Sequence, residues 1–330
     1  MTDAVALPLA VSVGDPAGVG PELIAAAWEQ RDGLVPFFVC GGAEVLIAAG
    51  AKVIGIADPA EAAGAFAHGL PVLIGNDAQY CPGSPDHEGA ELALASLGQA
   101  VELARTGRAA GVVTAPVSKA LIAAIDPGFI GQTEYCADAC ARPRADAVML
   151  LAGPQLKVVP LTVHVALSEV PHLITYELIL HRCRIVARAM AEDFGITAPR
   201  IALTGLNPHA GEAGRMGREE IDEIAPAIAQ LRNEGIDATG PHPADTLFAP
   251  HLRPTYDVAI AMYHDQALAP LKALDFDQGV NMTIGLPIIR TSPDHGTAFG
   301  IAGKGTASAS AVIAAIHMAG EVAERRRALG

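Results

Sequence analysis

The stretch Val258-Ala259-Ile260-Ala261-Met262-Tyr263-His264-Asp265 places a histidine and an aspartate directly after an uninterrupted apolar run. Such runs are typical of strands that are buried on both faces, as in parallel sheets covered by helices. Two more runs end in the same way, because residues 158–163 precede His164 and residues 201–206 lead through Asn207-Pro208 to His209. The pattern predicts an α/β fold in which three histidines follow three strand ends.

The same alternation of short apolar runs and helical stretches extends over most of the chain. A loop rich in glycine and proline follows the first run, and Pro21 and Glu22 then favour the start of a helix. Other helices are predicted where apolar residues recur at helical spacing and a glycine follows shortly after. The predicted strands cover residues 7–13, 35–40, 111–114, 147–151, 157–163, 200–204 and 258–262, and the predicted helices begin at Pro21 or cover residues 87–105, 175–194, 218–233 and 306–327.

Composition is typical of a globular α/β protein and disfavours several other classes. The chain has 330 residues, of which 51% are hydrophobic and 18% charged, enough for about two domains and too apolar for a disordered protein. A net charge of −14 argues against nucleic acid or an anionic membrane as the main partner. The start Met1-Thr2-Asp3 lacks the basic segment of a secretory signal, and no uncharged apolar run reaches the ~18 residues of a membrane span. The chain has five cysteines without CxxC spacing, which predicts reduced thiols and hence a cytoplasmic protein.

Side chains that follow neighbouring strands border the ligand crevice of an open α/β sheet, so His164, His209 and His264 are expected to approach one another. Three imidazoles without a cysteine suit Zn²⁺ or a similar divalent ion that keeps one coordination position open. Such an ion either activates water for hydrolysis or polarises a substrate hydroxyl, and the ligand set alone does not decide between these reactions. Asp245 and Asp265 are the nearest candidates for orienting a ligand or transferring a proton.

Basic residues are scarce, which draws attention to Lys272, Asn281 and Arg290. An ammonium, an amide and a guanidinium from one stretch can together bind a phosphate or a carboxylate, although ordinary surface positions explain them equally well. Glycine-rich segments at residues 14–22 and 294–305 allow a close approach of backbone to a ligand. No GxGxxG motif follows the first strand, so an ordinary Rossmann site is not expected.

One of these segments resembles a known cofactor loop. His295-Gly296-Thr297-Ala298, followed by Ile301-Ala302-Gly303-Lys304-Gly305, is similar to the nicotinamide dinucleotide loop of isopropylmalate and isocitrate dehydrogenases. Further segments lie in order along the chain at residues 14–22, 114–119, 131–134, 206–212, 243–248, 262–266 and 290–298. Together they resemble the 4-hydroxythreonine-4-phosphate dehydrogenase family of pyridoxal phosphate biosynthesis over nearly the whole chain.

The resemblance implies a two-domain fold like that of isocitrate and isopropylmalate dehydrogenases, with mostly parallel sheets flanked by helices and a cleft between the domains. The first domain would be discontinuous, comprising residues 1–128 and 297–330. Residues 129–296 would form the second domain, which carries the metal ligands and the dimer interface. In such a homodimer the active site lies at the subunit interface and takes ligands from both subunits.

The resemblance also implies a metal-dependent oxidation of 4-phosphooxy-L-threonine at its C3 hydroxyl, linked to NAD or NADP. The product, 2-amino-3-oxo-4-phosphooxybutanoate, then loses CO₂ to give 3-amino-2-oxopropyl phosphate. One divalent ion, zinc, magnesium or cobalt, would be held in each active site. The matching residues are His164, His209 and His264 for the metal, Gln132, Thr133, Lys272, Asn281 and Arg290 for the substrate, and His295, Gly296, Thr297, Ala298 and Gly303 for the dinucleotide, while Asp245, Asp265 and Lys119 are all candidates for the catalytic base.

Gln132 departs from the expected pattern, because the resemblance leads us to expect Gly-His-Thr-Glu where this sequence has Gly131-Gln132-Thr133-Glu134. A glutamine can donate a hydrogen bond to an anion but contributes no imidazolium charge. Sister dehydrogenases that act on 4-phospho-threonate or 4-phospho-erythronate, or on a cyclic dihydrodiol carboxylate, are therefore the nearest alternative. A zinc hydrolase is an alternative from another class, although it leaves the cofactor-like loop without a purpose.

Overall fold

Short strands alternate with helices throughout residues 7–329, the part of the chain that the structure, a computed structural model, describes. The strands are β1 (Leu9–Ser12), β2 (Phe37–Cys40), β3 (Val53–Ile56), β4 (Leu70–Leu73), β5 (Val112–Thr114), β6 (Val148–Ala152), β7 (Lys157–Pro160), β8 (Ile201–Thr204), β9 (Ala238–His242), β10 (Val258–Ala261), β11 (Val280–Ile284) and β12 (Arg290–Pro293). The α-helices are α1 (Gly20–Glu29), α2 (Ala43–Ala48), α3 (Ala62–Phe66), α4 (His87–Arg105), α5 (Lys119–Ile125), α6 (Gln132–Ala139), α7 (Val170–Leu173), α8 (Tyr176–Glu192), α9 (Ala225–Asn233), α10 (Ala244–Leu247), α11 (His264–Asp275) and α12 (Ser310–Leu329).

The described chain divides into two compact units, of which the first comprises residues 7–147 and 286–324. Its strands pair in the order β3-β4-β2-β1-β5-β12, and every pair is parallel. One face of this sheet is covered by α4, whose Leu97 and Val101 belong to the same buried cluster as Phe38 and Val112. The carboxyl ends of β1, β5 and β12 are the part of this unit that positions candidate functional residues.

The second unit comprises residues 148–285 and 325–329. Its strands pair in the order β11-β6-β7-β10-β8-β9, with antiparallel pairs at β11-β6 and β6-β7 and parallel pairs from β7 to β9. Val158, Ala202, Ala259 and Leu271 share its buried cluster. Because β7, β10 and β8 are parallel neighbours, their carboxyl ends lie at one edge of the sheet.

The predicted α/β class is confirmed, and every predicted strand overlaps an observed one. Helix α4 occupies the predicted residues 87–105, whereas the helix predicted over residues 218–233 is a π-helical turn, Glu220–Ile224, followed by α9. The last helix begins at Ser310 and not at residue 306 as predicted, because residues 306–309 are irregular. The prediction missed β3, β4, β9, β11 and β12, most of which contain glycine, proline or polar residues.

Two other expectations concern the whole chain. All five cysteines are free, as expected, and none of the helices within residues 7–329 is long and apolar enough to cross a membrane. The Met1-Thr2-Asp3 start lies outside the described residues. The domain boundaries expected near residues 128 and 296 stay predictions.

Candidate active site

The edge formed by β7, β10 and β8 carries the three predicted histidines. His264 is the first residue of α11 and follows β10 closely, and His164 follows β7 after a short loop. Their rings are close together, with centroids 5.7 Å apart. The loops that carry them are joined by the buried Thr162 hydroxyl, which donates to the carbonyl of Met262 at 2.9 Å.

A cleft of about 320 Å³ opens beside these two histidines. Asp265 lies at its edge, with Oδ1 2.7 Å from Nδ1 of His264. Because a carboxylate only accepts hydrogen bonds, this contact places the imidazole proton on Nδ1 and leaves the lone pair of a neutral ring on Nε2. The cleft is lined by Thr162, Val163, His164, Val165, Leu167, Val170, Tyr263, His264 and Asp265.

His209 lies in a left-handed turn after β8, which we call the His209 turn (Pro208–Gly214). Five consecutive residues from His209 to Ala213 have φ between 42° and 77°. A side chain in this conformation costs about 1–2 kcal/mol per residue, so other contacts must hold the turn. Glu220, only 3% exposed, provides them by accepting from the backbone N–H of Asn207 at 2.8 Å and from its Nδ2 at 3.1 Å.

Strain also occurs at His164, where φ is 51°. Backbone outliers of this kind are concentrated at functional sites, because a surrounding structure must maintain them. Within residues 7–329 of the single chain, however, no three His, Cys, Asp or Glu side chains are grouped so that they could hold a metal ion. The structure therefore brings His164 and His264 together, and His209 of the same chain does not complete the set.

In the first unit, the guanidinium of Arg290 is the centre of a buried polar group that we call the Arg290 cluster (Thr114, Ala115, Gln132 and Arg290). Arg290 is 3% exposed, and its Nη2 donates to Oε1 of Gln132 at 2.7 Å and to Oγ1 of Thr114 at 2.8 Å. The Thr114 hydroxyl donates to Oε1 of Gln132 at 2.9 Å. Gln132 in turn donates through Nε2 to the carbonyl of Ala115 at 3.0 Å.

Ionisable neighbours surround this cluster. Burial lowers the pKa of Arg290, and Cys136 and Glu134 oppose that shift. Burial also raises the pKa of Cys136 to about 11, so the thiol is neutral at physiological pH. Lys119 and Glu134 flank Gly131, where an added Cβ would lie 3.4 Å from Lys119 Nζ and 2.7 Å from Glu134 Oε2. Lys119 is thus placed near the cluster, a position that the sequence did not show.

The cofactor-like loop packs against the first glycine-rich loop. Val19 donates through its backbone N–H to the carbonyl of Thr297 at 2.9 Å, and Gly303 donates to Oε2 of Glu22 at 3.0 Å. A side chain at Gly18 would collide with Thr297, since its Cβ would lie 2.9 Å from the carbonyl oxygen. His295, Gly296 and Ala298 remain exposed, so this surface of the loop is accessible to a ligand.

Other candidates from the sequence lie on regular elements. Lys272 is exposed on α11 and Asn281 is half-buried in β11, both in the second unit. Thr133 is half-buried in α6 of the first unit. Asp245 is exposed on α10, and no contact of its side chain relates it to the two clustered histidines.

Three residues that shape these sites were not predicted from the sequence, namely Thr114, Glu220 and Asp15. Thr114 ends a predicted strand, and that position was the available signal. Glu220 gave none, because a glutamate in a predicted helix is normally exposed. Asp15 is 2% exposed, and its Oδ1 accepts from the backbone N–H of Ala17 at 3.0 Å. It belongs to the loop that supports the cofactor-like segment.

Comparisons of sequence and structure with known proteins agree on one family. Residues 35–319 match the family described as pyridoxal phosphate biosynthetic protein PdxA. A 4-hydroxythreonine-4-phosphate dehydrogenase from Erythrobacter litoralis is 58% identical over 328 residues, covering 97% of each chain. The crystal structure of a 4-hydroxythreonine-4-phosphate dehydrogenase from Klebsiella pneumoniae has a TM-score of 0.85 and 36% identity, covering 98% of this chain and 99% of that one. The crystal structure of a terephthalate 1,2-cis-dihydrodiol dehydrogenase from Burkholderia xenovorans has a TM-score of 0.65 and 28% identity, covering 95% of this chain and 97% of that one.

Proposed function

The chain belongs to the PdxA family, and on that premise we propose that it is an NAD(P)-dependent dehydrogenase that oxidises 4-hydroxythreonine 4-phosphate in pyridoxal phosphate biosynthesis. The observation that carries this proposal is the 58% identity to the Erythrobacter enzyme over 97% of both chains. The reaction converts the C3 hydroxyl of the substrate into a ketone, and the resulting β-keto acid loses CO₂.

The sister activities are less well supported. The dihydrodiol dehydrogenase is 28% identical to this chain with a TM-score of 0.65, against 36% and 0.85 for the Klebsiella 4-hydroxythreonine-4-phosphate dehydrogenase. Oxidation of 4-phospho-threonate or 4-phospho-erythronate requires the same anion-binding groups, so these compounds are tested in the same assay.

We further propose that His164 and His264 hold a divalent metal ion. The donor set fits, because two imidazoles face one cleft and Asp265 fixes the tautomer of His264. When bound, the metal supplies a Lewis acid for the C3 oxygen and for the developing enolate, and NAD(P)⁺ supplies the hydride acceptor.

A second copy of the chain would supply His209. Within residues 7–329 no third ligand joins His164 and His264, which is the arrangement expected of a site shared between subunits. Leu167, 67% exposed at the lining of the cleft, and Val165 beside it present apolar surface that a second copy would cover. We therefore propose a homodimer in which each active site takes ligands from both protomers.

The anionic groups of the substrate would be bound by Arg290, Lys272 and Asn281, with Thr133 close to the Arg290 cluster. A guanidinium that is held rigidly loses little freedom when it binds a phosphate or carboxylate, which favours orientation of the reacting carbon. The dinucleotide would be held by the exposed backbone of the cofactor-like loop, including His295, Gly296, Thr297, Ala298 and Gly303. Two hydrogen bonds hold that loop in place, one from Gly303 to Glu22 and one from Val19 to Thr297.

Three residues stay candidates for proton transfer at the C3 hydroxyl. Asp265 touches His264, which makes it a positioning group for the ring as well as a candidate base. Lys119 lies beside Gly131 and the Arg290 cluster, and its ammonium would act as an acid or, when neutral, as a base. Asp245 is exposed on α10 and is accessible to solvent protons.

The proposal is tested by following the absorbance of the reduced nicotinamide with purified protein, 4-phosphooxy-L-threonine and NAD⁺ or NADP⁺. The assay is run before and after chelator treatment and again after a divalent metal is restored. Cofactor reduction that depends on the metal is expected, and His164→Ala should lower the rate at least ~100-fold, as expected when an electrostatic stabiliser of the reacting oxygen is lost.

His181→Ala serves as the matched control, because His181 is a half-buried histidine of α8 outside the cleft. It should retain a normal rate if it folds. A metal-loaded protein that reduces no cofactor with this substrate, but does so with 4-phospho-threonate, 4-phospho-erythronate or a dihydrodiol acid, would move the assignment to a sister activity. Hydrolysis of a phosphate ester without cofactor reduction would instead indicate a zinc hydrolase.

A further inference from the structure

In the Arg290 cluster, the oxygen and the nitrogen of the Gln132 carboxamide both form hydrogen bonds to protein groups. Oε1 accepts from the Arg290 guanidinium at 2.7 Å and from the Thr114 hydroxyl at 2.9 Å. Nε2 donates to the carbonyl of Ala115 at 3.0 Å. The reverse orientation would place an NH₂ group against the guanidinium and an oxygen against a carbonyl, so the amide has one stable orientation.

We propose that Gln132 is a positioning residue, which holds the guanidinium of Arg290 in place for an anionic group of the substrate and does not itself bind that group. The proposal rests on the phosphorylated substrate of the proposed function. It assigns Gln132 a role different from the direct substrate contact that the family resemblance implies.

The chemistry of glutamine suits this role. Its oxygen is a strong neutral acceptor, so it orients the buried cation without cancelling the positive charge that attracts an anion. A glutamate would form an ion pair and compete with the substrate for Arg290. A histidine accepts hydrogen bonds only through an unprotonated ring nitrogen, and it loses that capacity when it becomes charged below about pH 6.5.

The ionisable groups close to the cluster differ from Gln132 in their chemistry. Cys136 carries a neutral thiol at physiological pH, because burial raises its pKa to about 11. Glu134 and Lys119, of opposite charge, lie together beside Gly131. Thr114 contacts the guanidinium, but its hydroxyl hydrogen is directed to Gln132, so the two side chains hold Arg290 as one unit.

A double-mutant cycle separates positioning from direct binding. Gln132→Ala should raise the KM for 4-phosphooxy-L-threonine about tenfold or more, the effect expected for a lost hydrogen bond to a charged group. Arg290→Lys keeps the charge but lacks the planar group that Gln132 holds, and in this background Gln132→Ala should change KM less than about twofold. An equal increase in both backgrounds would show that Gln132 contacts the substrate directly, which overturns the proposal.

The variant Gln132→His gives a second test in which the two roles predict opposite signs. KM is compared with that of the wild type at each pH between about 8 and about 6, where imidazole gains a proton. If residue 132 positions Arg290, protonation removes the acceptor and the KM ratio rises as the pH falls. If residue 132 binds the anion directly, the new positive charge tightens binding and the ratio falls, which would contradict the proposal.

A substrate-independent measurement keeps this inference separable from the proposed function. The side-chain Nε–Hε resonance of Arg290 in ¹⁵N NMR spectra should broaden or shift in Gln132→Ala, because the guanidinium loses its restraint. Gln155→Ala is the matched control, since Gln155 accepts from Arg253 at 3.2 Å in the second unit. It should leave the Arg290 resonance and KM unchanged. An Arg290 resonance identical in Gln132→Ala and wild type would overturn the positioning role, whereas failure of the wild type to oxidise the substrate would overturn only the proposed function.

Discussion

The Arg290 cluster and the His209 turn fix their functional side chains by different physical means. In the first unit, Arg290 and Thr114 lie on ordinary strands, and side-chain hydrogen bonds determine where the guanidinium points. In the second unit, His209 belongs to a backbone that runs left-handed for five residues and is held by the buried Glu220. In the first arrangement, side-chain hydrogen bonds hold the functional group itself. In the second, they hold a backbone conformation that leaves no room for a Cβ at Gly211.

The largest loss of stability and of metal affinity is therefore expected from adding one methyl group to the His209 turn. In Gly211→Ala, φ is +77° and the new Cβ would lie 2.5 Å from Glu220 Oε2, so either the turn or the carboxylate that holds it must shift. We expect a loss of about 1–2 kcal/mol in the free energy of unfolding and a fall in metal affinity of up to ~100-fold. Urea unfolding measures the first, and competition with a chromophoric chelator for Zn²⁺ measures the second.

Gly235→Ala is the matched control for this change. Gly235 also has a positive φ, +84°, but nothing lies within 4 Å of the position that an added Cβ would take. This variant should show a loss of stability from backbone strain and an unchanged metal affinity. Equal metal affinities in the two variants would mean that the His209 turn does not position a ligand.

Substrate binding at the Arg290 cluster should instead depend on the hydroxyl of Thr114. Thr114→Val keeps the shape of the side chain but removes the group that links Arg290 to Gln132, and we expect KM to rise about tenfold. Thr291→Val is the control, because Thr291 follows Arg290 in β12 and is also buried, but its hydroxyl donates to the carbonyl of Ala315 at 2.8 Å and to no group of the cluster that we name. It should cost about 1 kcal/mol of stability without changing KM. A similar KM in both variants would contradict the role of side-chain hydrogen bonds in the first unit.

A smaller effect is expected at Asp265, which holds His264 by a single contact. The Asp265 side chain is 84% exposed, so water can replace it in Asp265→Asn. We expect metal affinity to fall several-fold, below the ~10–100-fold range for buried partners of metal-binding histidines. Glu91→Gln, which alters an exposed contact with His87 at 3.5 Å, should change nothing. A loss as large as that in Gly211→Ala would show that side-chain contacts matter as much as backbone in the second unit.

The difference between the two regions also explains which parts of these sites the sequence could predict. Apolar runs placed His164, His209 and His264 after three strands, and the structure confirms that β7, β10 and β8 are neighbours. The left-handed conformation was not predictable, because His209, Ala210 and Glu212 carry no local signal for positive φ and the decisive contact comes from Glu220.

The Arg290 cluster was hidden for another reason. Arg290 lies 158 positions from Gln132 and 176 from Thr114, so only tertiary structure reveals their contact. The strand that carries Arg290 was missed because Arg-Thr-Ser-Pro is polar yet fully buried in β12. Binary patterns detect apolar strands, whereas a strand that contributes a polar site violates the pattern.

The smallest expected effect concerns the pH dependence of a second buried polar group in the first unit, Asp15. Burial raises the pKa of its carboxyl above the ordinary value of 3.8, with Asp86 adding to the shift and the backbone N–H groups of Ala17 and Ser118 opposing it. The folded protein therefore holds this proton more tightly than the unfolded chain does. The stabilisation is fully present below pH 3.8 and is lost as the pH rises through the folded pKa.

Asp15→Asn keeps an acceptor for Ala17 but cannot ionise. The free energy of unfolding of the wild type relative to this variant should fall as the pH rises from about 4 and should become constant once Asp15 is fully ionised. Urea unfolding at a series of pH values measures the difference, and Asp32→Asn, at an exposed aspartate, should follow the wild type. A pH-independent difference for Asp15→Asn would instead mean that the hydrogen bonds from Ala17 and Ser118 offset the burial of the carboxylate completely.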